Sequence, residues 1–127
     1  MSSPRLPDGM DSGFLDPREA VYDFVRGVPA GRVVTYGLVA SSISRIRLTA
    51  RMVGSAMRWS PQDVPWHRVV GSDGSLRTGK ISAELMLRQA ELLRSEGIDV
   101  RGDSSARVSL DRCLWIPGPD AMDDPNG

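Results

Sequence analysis

"TYGLVASSISRIRLTARMVGSAMRW", residues 35–59, sets two short helical patterns on either side of a polar turn. Thr35 can cap the first through its side-chain oxygen, and Leu38, Val39 and Ala40 carry that helix to about Ser44. In "LTARMVGSAMRW" the apolar Val53, Ala56 and Met57 fall on one side of a second helix, leaving Arg51 and Arg58 to point elsewhere. Two short helices with a tight connection, and small residues (Ala50, Gly54, Ser55, Ala56) on the second, predict a helix-turn-helix. Gly54 and Ser55 would let that helix lie close to another backbone, protein or nucleic acid.

The flanks extend the pattern. Asp16-Pro17 is an N-cap followed by proline at the first helical position, and Ala20, Val21, Phe24 and Val25 share one face of a helix over 17–27. Gly27 and Pro29 end it. Arg32-Val33-Val34 reads as a short strand, as does His67-Arg68-Val69-Val70, which the turn Ser72-Asp73-Gly74 closes. "SLRTGK" reads as a loop; from Ser82, Leu85, Met86, Ala90, Leu92 and Leu93 mark a further helix that stops at Glu96-Gly97. Ile98-Asp99-Val100 and "ARVSLDRCLW" are strand candidates for a hairpin. The expected organisation is a mobile leader over 1–15, one domain over 16–116, and a disordered acidic tail over 117–127. The fold class expected is mainly α with short β-strands, a helix-turn-helix with a wing-like element.

Composition narrows the function classes. No apolar run reaches the ~20 residues needed to span a bilayer, and the N-terminal stretch lacks a signal peptide's apolar core, so no membrane partner and a cytoplasmic setting are expected. One cysteine, Cys113, excludes an internal disulfide, and with His67 as the only histidine neither a metal site nor a cofactor is expected. The formal net charge of zero conceals an asymmetry: between Phe24 and Gln62 there is no Asp or Glu, while Arg26, Arg32, Arg45, Arg47, Arg51 and Arg58 all fall there. An acid-free, arginine-rich block is the footprint of a polyanion-binding surface, and guanidinium planes favour bidentate phosphate contacts.

"GRVVTYGLVA", "ARMVGSAMR" and "PWHRVVGSDG", in this order, resemble the DNA-binding domain of the O6-alkylguanine-DNA alkyltransferases over about residues 16–112. In that family the third motif reads Pro-Cys-His-Arg-Val, and its cysteine accepts the alkyl group. Trp66 stands in the cysteine's place, which is the mark of the alkyltransferase-like proteins. The resemblance implies minor-groove docking by the second helix and flipping of the damaged nucleotide. It implies phosphate contact by Tyr36, a base-stack finger in Arg51, and a DNA-facing set completed by Thr35, Gly54, Ser55, Arg58 and Ser60. Ser60 replaces the asparagine of the family's Asn-Pro. The implied lesion pocket comprises Trp66, His67, Val69 and Val70, with Arg77 and Lys80 from the following loop, and Glu96 orients His67.

Indole is a poor nucleophile where a thiolate attacks readily, so no catalytic residue is expected. The function implied is non-enzymatic recognition of O6-alkylguanine in double-stranded DNA by a monomer, which presents the lesion to nucleotide excision repair proteins. Two rivals are an active alkyltransferase working through Cys113 or another acceptor, and a sequence-specific helix-turn-helix regulator. Trp59 and Trp115 read as packing residues, with Trp59 possible at the pocket rim, and Cys113 as a small buried hydrophobe on a strand.

Overall fold

The computed structural model describes residues 16–102 and 105–116; the leader over 1–15 and the tail over 117–127 lie outside the described residues. Helix α1, Pro17–Arg26, starts where Asp16 accepts the Arg18 amide at 2.9 Å and stops at Gly27. It buries Ala20, Val21 and Val25 as expected, and also Tyr22, whose hydroxyl donates to the Ala56 carbonyl at 2.8 Å. Phe24 is only half-buried and packs against Trp115 with ring centroids 5.9 Å apart.

Helices α2, Tyr36–Ser42, and α3, Ala50–Met57, form the expected pair, capped by Thr35 on the Leu38 amide and Thr49 on the Met52 amide. Helix α2 ends two residues before Ser44, and the connection runs through Ser44–Leu48.

Strand β1, Val34–Thr35, pairs in parallel with β2, Val69–Val70, in the register Val34↔Val69. This short ladder separates two apolar clusters. Neighbouring strand residues point to opposite faces, so Val34 and Val69 enter the cluster of α1, α2 and α3, while Val33 and Val70 enter the one beneath α4 (Ala83–Ser95). Each Val-Val pair thus serves both cores. Residues β3 Val100–Arg101 and β4 Arg107–Val108 form the antiparallel hairpin that was expected.

Three segments differ from the sequence reading. Trp66–Arg68 is a 3-10 turn rather than the start of a strand; the Pro65 carbonyl accepts the Arg68 amide at 3.0 Å, and only Val69 and Val70 extend. The "SLRTGK" loop contains a second 3-10 turn, Arg77–Lys80, closed by Leu76 and Thr78 carbonyls. Beyond β4 the chain forms a short helix, α5, Leu110–Cys113, with the Ser109 carbonyl accepting the Arg112 and Cys113 amides. Cys113 is buried, as expected, but on this helix rather than on a strand.

The segments around the Trp66 turn meet at one carboxylate. Glu96, at the end of α4, accepts His67 Nε2 at 2.7 Å and Arg68 Nη2 at 2.6 Å, and the Gly31 amide at 3.1 Å. Gly31 takes φ 86°, a conformation that costs glycine little. Arg68 also donates to the Val28 carbonyl at 2.8 Å. Burial alone would raise the Glu96 carboxyl, but the hydrogen bonds from Arg68, His67 and Gly31 outweigh it and hold the group at about 2, against its ordinary 4.5.

A depressed carboxyl contributes stability that is full above the unfolded value and lost as pH falls through the folded one. Glu96→Gln is therefore expected to lower stability by about 3 kcal/mol at neutral pH. Between pH 4.5 and pH 2 the parent should lose stability more steeply than the variant. Urea unfolding across that range checks both; parallel curves would remove the network from the stability account.

Candidate nucleic-acid interface

A cavity of about 700 Å³ opens between α3, the Trp66 turn and the Arg77–Lys80 turn. That volume lies inside the range of small-molecule pockets, about 300–1,000 Å³. Its walls follow from local geometry. Arg51 and Gly54 of α3 and Arg58 at its C-cap lie at spacings of three and four and line the cavity, while Val53 and Ala56 face the core. Tyr36, the first residue of α2, lines it opposite Gly54, with space there for a Cβ 3.9 Å from the tyrosine ring. Half-buried Trp66 lines it from the 3-10 turn, edge-on to His67 at 6.1 Å.

The third wall is Gly71, Ser72, Arg77 and Thr78. A Cβ at Gly71 would fall 2.5 Å from Arg77 Nε and 2.8 Å from Ser75 Oγ, so glycine there lets Arg77 fold across the turn. Arg77 Nε donates to Ser75 Oγ at 3.2 Å. Burial pushes the Tyr36 hydroxyl above its usual value, against the opposing pull of the Arg77 guanidinium. Tyr36 therefore faces the cavity as a neutral hydrogen-bond donor at physiological pH. None of the residues lining the cavity is a carboxylate.

Seven sequence-predicted site residues come together here: Tyr36, Arg51, Gly54, Arg58, Ser60, Trp66 and Arg77. The others do not line the cavity. Thr35 is occupied in capping α2, and Ser55 faces a shallower groove between α1 and α3 with Met52. His67 is buried behind Trp66, 8% exposed, with its ring turned to Glu96. Val69 and Val70 are core residues, because both faces of the β1–β2 ladder are covered. Lys80 is exposed on its turn outside the lining.

Residues missed in the sequence also build the site: Met57, Gly71, Ser72, Thr78, Ile81 and Leu85. Thr78 lies in the 3-10 turn, Ile81 just after it and Leu85 in the first turn of α4, so the fold of the turn against that helix, not a local pattern, brings them to one wall. Trp59 is 73% exposed and reaches both the cavity and the neighbouring groove, a rim residue rather than a packing one.

Arg51 and Arg58 of the lining, and Arg45 and Arg47 of the α2–α3 connection, are exposed, and among the described residues none is within ion-pair distance of a carboxylate. Arg26 does not belong to this face: it is paired with Asp63 at 2.9 Å and Asp23 at 2.7 Å. Arg32 reaches the Arg112 carbonyl instead.

Comparison with known proteins identifies the family. Residues 16–98 match the family described as 6-O-methylguanine DNA methyltransferase, DNA binding domain. Alkyltransferase-like protein 1 of Schizosaccharomyces pombe is 37% identical over 101 residues, covering 76% of this chain and 92% of that protein. The DNA base-flipping protein of Escherichia coli is 34% identical over 99 residues, covering 76% and 72% respectively. The crystal structure of S. pombe Atl1 with damaged DNA containing O6-carboxymethylguanine superposes with a TM-score of 0.71 at 35% identity, covering 85% of this chain and 98% of that one. The chain therefore belongs to the family of 6-O-methylguanine DNA methyltransferase DNA-binding domains, as its three motifs led one to expect.

Proposed function

We propose that this protein binds duplex DNA carrying O6-alkylguanine, turns the damaged nucleotide out of the stack, and holds it in the Trp66 cavity without transferring the alkyl group. The observation that carries this reading is that an indole, Trp66, lines the cavity; the resemblance of Pro-Trp-His-Arg to the family's Pro-Cys-His-Arg supports reading it as standing in for the cysteine. An alkyl substituent on O6 cannot be inspected while the base is stacked, so extrusion is required. Its cost, a few kcal/mol of lost stacking and pairing, is offset in part by a side chain that fills the gap. Arg51 is suited to that role by its place on α3, its exposure and its flat cation. Tyr36 and the unpaired arginines supply phosphate contacts, which position the duplex without reading sequence.

A transferase working through Cys113 is disfavoured by the thiol's surroundings. Burial raises its pKa, only partly opposed by Arg32, and its sulfur donates to the Ser109 carbonyl at 3.2 Å. A sequence-specific regulator would need base-reading side chains along α3. The exposed positions there are Ala50, Arg51, Met52 and Ser55, so Arg51 alone is a side chain able to read a base edge with two hydrogen bonds. A monomer that delivers the bound lesion to excision repair proteins completes the proposal, since a site that only holds damage needs another protein to remove it.

The deciding experiment is binding to matched duplexes containing guanine, O6-methylguanine or a bulkier O6-alkylguanine, followed by intact mass of the protein. Preference for the alkylated duplexes with unchanged mass is expected. Equal affinity for all three, or a mass gain of one alkyl group, would overturn the reading. Arg51→Ala should weaken lesion binding by about 1–3 kcal/mol with circular dichroism unchanged. Affinity of the parent should fall steeply with salt as the arginine face displaces phosphate counterions; a flat salt titration would contradict that face.

Trp66→Ala should cost the alkylated duplex about 1–3 kcal/mol more than the undamaged one, because stacking is lost while phosphate contacts persist. Trp66→Cys restores Pro-Cys-His-Arg next to His67 and Glu96, yet little alkyl transfer is expected. Ser60 stands where the family has asparagine, the pocket need not hold the alkyl carbon in line with sulfur, and small misplacements of a nucleophile are costly. Stoichiometric alkylation of that variant would show that only the thiol was missing.

A further inference from the structure

Gln89 on α4 is fully buried, at 0% exposure, among the apolar residues Met86, Ala90 and Leu93. A leucine or methionine would fill that space without the cost of burying an amide. What the amide adds is a set of three hydrogen bonds. Its Nε2 donates to the His67 carbonyl at 3.0 Å and the Val69 carbonyl at 3.1 Å, and its Oε1 accepts the Thr78 hydroxyl at 2.6 Å. The orientation is fixed by chemistry, since two carbonyls can only accept and the amide oxygen cannot donate. The carbonyls belong to the Trp66 turn and β2, and the hydroxyl to a residue of the facing cavity wall.

We infer that Gln89 is a positioning residue that sets the width of the cavity, by tying the Trp66 side to the Arg77–Thr78 side through one side chain. β2 has β1 on one edge only, so the amide takes the place of a strand on the other and fixes how the Trp66 turn leaves the sheet. The same side chain holds Thr78, and with it the turn that carries Arg77. The spacing between indole and facing wall is thus set from behind, by a residue that is not part of the lining. This rests on the cavity being the lesion pocket and names what selects the size of the O6 substituent there.

The test measures affinity of the intact protein, Gln89→Met, Thr78→Val and the double variant for duplexes with guanine, O6-methylguanine and O6-benzylguanine. Thr78→Val breaks the link to Gln89 and leaves both carbonyl bonds, so it carries the test even if Gln89→Met does not fold; because Thr78 also lines the cavity, the double variant separates loss of the tie from the changed lining. The expected result is a shift of the benzyl-to-methyl affinity ratio toward benzyl by at least about threefold in each single variant. The double variant should match Gln89→Met, because both changes cut the same tie. Equal weakening for all three duplexes, an unchanged ratio, or additive shifts in the double variant would overturn the inference and leave Gln89 a core residue only. A parent that prefers neither alkylated duplex over guanine would instead refute the lesion-pocket reading on which it stands.

Discussion

Three parts of this molecule that are far apart in sequence are held by one carboxylate. Glu96 takes donors from Gly31, from His67 and from Arg68, and Arg68 extends the junction to the Val28 carbonyl. A buried charge without partners would be strongly destabilising, whereas this one has its oxygens filled and is held well below its ordinary pKa. Because the ionised carboxylate only accepts, Nε2 of His67 must carry its proton. The Trp-His-Arg string therefore has a folding reason that is independent of any nucleophile. With His67 and Arg68 anchored inward, Trp66 is left facing the cavity.

Helix α3 divides its labour by helical spacing. Val53 and Ala56 lock it to the core; Arg51, Gly54 and Arg58 line the cavity; Met52 and Ser55 look into the groove beside α1. The eight residues of the helix and its C-cap Arg58 carry all three faces. Gly54 opposite Tyr36 leaves room at the cavity wall, and Ala56 offers its carbonyl to Tyr22.

What was legible in the sequence was what local chemistry determines. Asp16 and Thr35 cap helices through bonds that span two or three residues, and Gly27 and Gly97 mark ends that follow from backbone preference; Thr49 and Ser82 cap in the same way but were not expected as caps. Motif position identified Tyr36, Arg51, Trp66 and Arg77 as site residues, and the structure brings them to one cavity. The 3-10 turns were not legible, because the first is set by contacts from Gln89 and Glu96 more than twenty positions away. Val69 and Val70 read as pocket residues, yet tertiary cover on both faces of a two-residue ladder makes them core. Gln89 carried no signal at all: a polar residue on a helix reads as solvent-facing until its partners are known.

On the proposed reading, replacing a thiol by an indole changes what must limit the encounter with DNA. A transferase ends that encounter by forming a bond. A protein that only binds must hold the extruded base by free energy alone, against the few kcal/mol that stacking and pairing return when the base goes back. Contacts to phosphate cannot discriminate, since they are the same for damaged and undamaged duplex. The unpaired arginines around Arg51 therefore govern residence on any DNA, and only the cavity can distinguish a lesion. Its selectivity is then a matter of how well Trp66 and the facing wall fit the substituent. That fit depends on the stiffness of the segments behind them, which is where buried Gln89 of α4 and half-buried Glu96 at its C-terminal end make their bonds.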